Sequence, residues 1–173
     1  MSPAPADLVS AVELAGRAAR LDRRLGLAQL PRLVEAGALE GSEFTAQLQF
    51  DTFEGRVTVE VRVLGQCVLT CQRCLQPCAC AVDETAMLAV VERETDLVPG
   101  GYEPLPGDAE RLSLAALIEE QVLLGLPLVP RHDDAALCGT ATAATGAAPA
   151  EPVADEKQRP FAKLRQLLDE GTG

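Results

Sequence analysis

The sequence predicts an α+β fold: an antiparallel sheet or partly open barrel over residues 44–91, an amphipathic helix over 114–124 packed on it, and flexible termini. Three patterns predict it. Apolar and polar residues alternate with period two on both sides of a turn at 51–55. The alternation resumes from Cys78 and keeps its parity to Val90. Leu114, Leu117, Ile118, Val122 and Leu124 then supply the apolar face of a helix. The chain divides accordingly into an N-terminal helical and connector segment (1–38), an α+β core (39–138), a low-complexity linker (139–159) and a short C-terminal helix with its tail (160–173).

Residues 1–6 are rich in Pro and Ala and are expected to fray. Leu8, Val12, Ala15 and Ala19 recur at helical spacing, which predicts a short helix over 7–21. Arg17, Arg20, Arg23 and Arg24 form a basic cluster beside it, read as a solvated face or a partner contact. Pro31 and Gly37 make 28–39 a connector with one turn of helix. Phe44, Ala46, Leu48 and Phe50 then alternate with Thr45, Gln47 and Gln49, as in a strand with one buried face. Val57, Val59, Val61 and Val63 repeat the pattern with β-branched residues. Gly65 is expected to break or bulge that strand.

Extended chain from Cys67 to Thr70 leads into Cys71-Gln72-Arg73-Cys74, a turn closed by Pro77. The arm from Cys78 onward is expected to pair back as a hairpin with the two thiols at its tip. Cys78 and Cys80 share the parity of the apolar residues and read as small core residues, as does Cys67. Residues 96–109 carry Pro99, Pro104 and Pro106 with Gly100, Gly101 and Gly107, and are read as loop. Ser113 can cap the following helix and Pro127 ends it. Glu119 and Glu120 are placed on its polar side, because adjacent helical residues point in different directions. Residues 140–154, almost all Ala, Thr, Gly and Pro, read as flexible linker. Phe161, Leu164 and Leu168 predict a last short helix behind Pro160.

Composition narrows the function. Fifteen basic against 26 acidic residues give a net charge of -11. No basic stripe is available to neutralise phosphates, so tight non-specific RNA binding is not expected, and a basic protein partner suits the charge. The first 26 residues lack an apolar run and carry Asp7 and Glu13, unlike a secretory signal or an acid-poor transit peptide. No stretch is apolar enough for a membrane span. A cytoplasmic chain is therefore expected, with its six cysteines reduced or bound to metal. No P-loop, G-x-G-x-x-G or G-x-S-x-G occurs. The expected class is non-enzymatic.

The metal reading takes Cys71 and Cys74 as one close pair and His132 and Cys138 as a looser second pair, a four-donor set suited to zinc. His132 is the only histidine, and Arg131, Asp133 and Asp134 place it in an exposed loop. A reduced structural turn and a redox-active dithiol are the alternatives. A thioredoxin-type dithiol needs a helix N-terminus behind the motif, and Pro77 followed by strand alternation opposes that.

The stretch Val68-Leu69-Thr70-Cys71-Gln72-Arg73-Cys74-Leu75-Gln76-Pro77 resembles the C-Q-R-C centre of the bacterial YceD family, the large ribosomal RNA subunit accumulation proteins. Leu126-Pro127-Leu128-Val129-Pro130-Arg131-His132 behind an acidic amphipathic helix resembles that family's L-P-x-V-P-x-H segment, which a cysteine follows. Pro160-Phe161-Ala162-Lys163-Leu164 resembles its P-F-A-x-L ending. The resemblance implies a factor promoting synthesis, processing or stability of large-subunit ribosomal RNA, with no catalytic activity. It also implies Cys71, Cys74, His132 and Cys138 as characteristic positions. Cys78, Cys80 and the Ala/Thr-rich insertion after Cys138 depart from the family pattern, and leave open a ligand set with Cys78 in place of Cys138. The expected partner is a basic ribosomal protein or assembly factor, with ribosomal RNA engaged indirectly. A zinc-binding adaptor, direct RNA binding through Arg17–Arg24 with Arg73, and a thiol oxidoreductase are the other readings.

Overall fold

The computed structural model describes residues 7–138. The linker expected at 139–159 and the helix expected at 160–173 lie outside the described residues. Within them the chain runs β1 (Leu8–Val9), α1 (Ala11–Gly16), β2 (Arg20–Gly26), α2 (Pro31–Glu35), β3 (Leu39–Phe53), β4 (Arg56–Thr70), β5 (Pro77–Val91), β6 (Glu103–Pro106), β7 (Leu112–Ser113) and α3 (Leu114–Gly125). Five strands form one sheet in the order β2-β3-β4-β5-β6. All pairs are antiparallel except β5 with β6, which is parallel. The fold is the expected α+β, and the sheet is open rather than closed into a barrel. No helix among the described residues is long and apolar enough to cross a membrane.

The two alternating runs pair across the turn at 54–55, with Phe50 opposite Val59 and Leu48 opposite Val61. Their apolar sides therefore share one face. Helix α1 packs on it over β3 and β4, and α3 over β4 and β5. Phe50, Val59, Val61, Leu30, Leu33, Ile118 and Val122 are fully buried between these layers. The opposite face stays polar, with Gln47, Glu60 and Arg62 exposed. Cys67, Cys78 and Cys80 are buried on the apolar side, as their parity predicts.

The start of α3 is held by residues distant in sequence. The Ser113 hydroxyl accepts from the Ala116 N–H at 3.2 Å, and the Asp7 carboxylate accepts from the Ala115 N–H at 2.8 Å and from the Ser113 hydroxyl. Two exposed donors of the first turn are thereby satisfied. The pairing of β1 with β7 keeps Asp7 in place.

The structure departs from the sequence reading at four places. Residues 20–26, read as helix end and connector, form edge strand β2. The helix stops at Gly16, Ala18 takes φ 47°, and the reversed chain sets Leu21 and Leu25 opposite Leu48 and Phe44. Pairing with an apolar neighbour outweighs a weak helical periodicity. Residues 103–106, read as loop, form β6, where Pro104 and Pro106 are tolerated at a sheet edge. Gly65 neither breaks nor bulges β4, which runs through it to Thr70. The irregularity lies on the facing strand between Leu39 and Glu43. There the Ser42 hydroxyl donates to the Leu39 carbonyl at 2.8 Å and accepts from the Val68 N–H at 2.9 Å.

Glu119 is the fourth departure. It is buried, not solvated, and its Oε1 accepts from the Leu33 N–H at 3.1 Å. Leu33 lies in the first turn of α2, whose preceding residue Leu30 offers no side-chain cap. Glu119 thus caps one helix from another. Its neighbour Glu120 is half-exposed and pairs with Arg32. The two adjacent glutamates should therefore differ sharply. Glu119→Ala leaves a buried N–H without an acceptor and should cost about 2 kcal/mol. Glu120→Ala should cost less than about 1 kcal/mol. Urea unfolding midpoints of the two variants test the contrast, and equal losses would refute it.

Candidate metal centre

Cys71 continues the inner-face parity of Cys67 and Leu69 one step beyond the end of β4. The turn that follows is closed by two backbone bonds, from the Cys71 N–H to the Gln76 carbonyl at 2.9 Å and from the Leu75 N–H to the Cys71 carbonyl at 2.9 Å. Leu75 takes φ 60°, which brings the chain round so that Pro77 can start β5. The Arg73 N–H then lies 3.4 Å from the Cys71 sulfur. Both motif thiols are buried at this hairpin tip. The motif does not open a helix, the setting a thioredoxin-type dithiol requires.

The second pair arrives from α3. Pro127 and Pro130 keep residues 126–132 out of helix, and the Pro130 carbonyl accepts from the Gln72 N–H at 2.8 Å. That bond ties the segment to the knuckle. His132 Nε2 lies 3.1 Å from the Pro77 carbonyl oxygen. A carbonyl only accepts, so Nε2 carries the proton and Nδ1 keeps its lone pair. Cys138 returns through a short turn in which the Asp134 carboxylate accepts from the Ala136 N–H at 2.8 Å and its carbonyl from the Leu137 N–H at 3.1 Å. The wide spacing between His132 and Cys138 is folded up by that turn.

The result is one cluster. His132 Nδ1 lies 3.6 Å from the sulfurs of both Cys74 and Cys138, and the Cys71 and Cys138 sulfurs are 4.0 Å apart. All four donor atoms lie within 4.8 Å of one another. Cys78 is not among them. Its thiol is pushed up to about 11 by burial and then by Cys80. The four residues picked out as a possible ligand set are thus the four the fold brings together.

The donors fit a zinc ion. With Zn–S of about 2.3 Å and Zn–N of about 2.0 Å, the edges of a tetrahedron are about 3.8 Å between sulfurs and about 3.5 Å from sulfur to nitrogen. Three of the six separations, at 3.6, 3.6 and 4.0 Å, lie close to those edges, and all six fall within 4.8 Å. Burial acts to raise the Cys71 thiol, but the backbone amides of Arg73, Cys74 and His132 outweigh it and hold the group at about 5. These donors favour the thiolate of Cys71, the form that binds metal. Burial pushes the Cys138 thiol up, as do its neighbours Cys74 and Cys71. The Pro77 carbonyl on the far side of the imidazole is the outer partner that fixes a ligating histidine. The sequence carries no mark of this carbonyl, nor of the Gln72–Pro130 bond.

The arginines of the alternative RNA reading are placed apart. Arg20, Arg23 and Arg24 are exposed on β2, while Arg73 stands at the knuckle beyond the end of β4. Residues 59–168 match a family model described as large ribosomal RNA subunit accumulation protein YceD, a span that covers well over half of the chain. No solved structure matches it.

Proposed function

This chain belongs to the YceD family, the large ribosomal RNA subunit accumulation proteins, and from that premise we propose that it is a non-enzymatic, cytoplasmic factor promoting synthesis, processing or stability of large-subunit ribosomal RNA. The observation that supports the non-enzymatic part is the donor set. Cys71, Cys74, His132 and Cys138 supply four N and S donors in one cluster. A zinc ion held by these four residues would be fully coordinated by protein, with no open position for water or substrate, as in structural and not catalytic sites. Cys71 and Cys74 would then be tied through it to His132 and Cys138, and the hairpin tip to the segment after α3. The net charge of -11 favours action through a basic ribosomal protein or assembly factor.

A second reading, direct RNA contact, draws on one observation: among the described residues Arg17, Arg20, Arg23 and Arg24 make no ion pair with a carboxylate. One experiment separates the two. Capture of partners from lysate at low and moderate salt, with and without ribonuclease, should retain a basic ribosomal protein or assembly factor in all four conditions. Loss of every partner on ribonuclease treatment would transfer the function to the arginines. Capture of neither ribosomal protein nor RNA would remove both readings.

A further inference from the structure

The lower half of β5 is an unpaired sheet edge. Strand β6 covers only Leu88–Val91, and β4 pairs with the other side of β5. Among the described residues, the backbone groups of Cys78 to Met87 that face away from β4 make no backbone hydrogen bond. The other edges are guarded. Arg20, Arg23 and Arg24 line β2, and Pro104 and Pro106 lie in β6. Charge and proline blunt an edge against pairing. Ala79 and Ala81 do nothing of the kind, and both are exposed.

The segment after α3 runs along this edge in the opposite direction. At one end Gly125 packs on the Glu84 side chain, so closely that a Cβ would stand 2.5 Å from its Cγ. At the other end His132 meets the Pro77 carbonyl. Pro127 and Pro130 lack N–H groups, so this segment cannot complete a strand. It leaves a groove of ≈ 480 Å³ between Ala79 and Ala81 on one side and Pro127, Val129 and Arg131 on the other. The groove is open and of mixed polarity, with Val129 as its large apolar side chain. Leu128 is 101 % exposed and Val129 50 %. Asp133 lines the groove beside Arg131, and the Glu84 carboxylate lies against Gly125 at one end, while Asp83 is paired with Arg62.

We propose that this groove binds an extended, basic segment of a partner protein, which adds to the sheet as a strand along the free edge of β5. Main-chain bonds to the edge give affinity, and apolar side chains at alternate positions of the segment meet Val129. Glu84 and Asp133, on a chain of net charge -11, favour Lys and Arg at the intervening positions. The zinc cluster holds the far wall through His132. The inference rests on the protein-contact reading above and supplies its surface.

The test uses the zinc-loaded full chain and a labelled decapeptide of alternating Lys and Val, followed by fluorescence anisotropy. Saturable binding is expected, weakened about tenfold or more by Ala81→Arg and by Val129→Asp, each with unchanged melting temperature. Methylation of the peptide nitrogens along one edge should abolish binding, and along the other edge should not. A Glu-for-Lys peptide should not bind. Equal binding by both methylated peptides, or by both variants, would overturn the strand addition, as would displacement of the peptide by a single-stranded RNA or by a second copy of the chain. The same variants, introduced into cells lacking the native gene, separate this inference from the function it rests on. If the wild type restores the ratio of large- to small-subunit ribosomal RNA and both groove variants do so equally, the groove fails and the function stands. If the wild type has no effect on that ratio, the function fails whatever the peptide does.

Discussion

Protein purified without chelator or a His-tag is expected to contain one zinc per chain, and Cys71→Ser is expected to lose it and melt about 10 °C lower. The size follows from linkage. A ligand present at a thousandfold excess over its dissociation constant stabilises the folded state by about 4 kcal/mol. Cys71, Cys74 and Cys138 belong to the same buried core as Phe50 and Ile118, most of which the substitution leaves intact, so the variant should stay folded. Chelation of the wild type should reproduce the same drop, and chelation of the variant should add nothing, because both act through one site. Cys67→Ser and Cys80→Ser change buried thiols outside the cluster and should retain the metal. Elemental analysis beside thermal melting reads all of these. Absence of metal in the wild type, with six titratable thiols and a melting temperature indifferent to chelator, would return Cys71 and Cys74 to an ordinary reduced turn.

The candidate ligands were legible because ligand chemistry is local. A C-x-x-C on a turn is visible in four letters, and a lone histidine among charged residues reads as exposed. What held those residues together was not legible, because it is backbone. The Pro77 carbonyl that orients His132, and the Pro130 carbonyl that receives the Gln72 N–H, are features every residue carries. Only the fold decides which of them meet. Spacing misled in the same way. A spacing of six from His132 to Cys138 looks wide on a straight chain, and the turn at Asp134 brings the two side by side.

The fold divides along a similar line. Strands β3, β4 and β5 were legible because half of each is buried, which writes a period of two into the sequence. Strand β2 is an edge with Arg20, Asp22 and Arg24 on its outward side and Arg23 between Leu21 and Leu25 on the other, so only two leucines carry the pattern, and two residues cannot distinguish a strand from a helix. Strand β6 is four residues with two prolines and is recruited by its neighbour. Glu119 misled because a carboxylate on a helix is nearly always solvated. Its burial depends on a helix N-terminus supplied from 86 residues away.

Gly65→Ala is expected to be among the most damaging single substitutions outside the metal cluster, costing about 3 kcal/mol. The residue sits mid-strand in β4 opposite Phe44, with no unusual backbone angle to explain it. Its role is space. A Cβ there would lie 2.2 Å from the Glu43 carbonyl oxygen and 2.9 Å from the Phe44 Cα. Both are backbone atoms of the paired strand, so no side-chain rotation relieves the contact. Relief requires β3 and β4 to part just where the irregularity between Leu39 and Glu43 already uses Ser42 to satisfy Val68. The gain in strand propensity on replacing glycine is at most about 1 kcal/mol and does not offset the clash. Gly107→Ala, which meets nothing within 4 Å, is the control and should leave stability nearly unchanged. Urea unfolding of both variants with zinc bound tests the claim. A Gly65→Ala variant as stable as the Gly107→Ala variant would mean that the two strands separate at little cost, and that close packing at Phe44 does not fix their register.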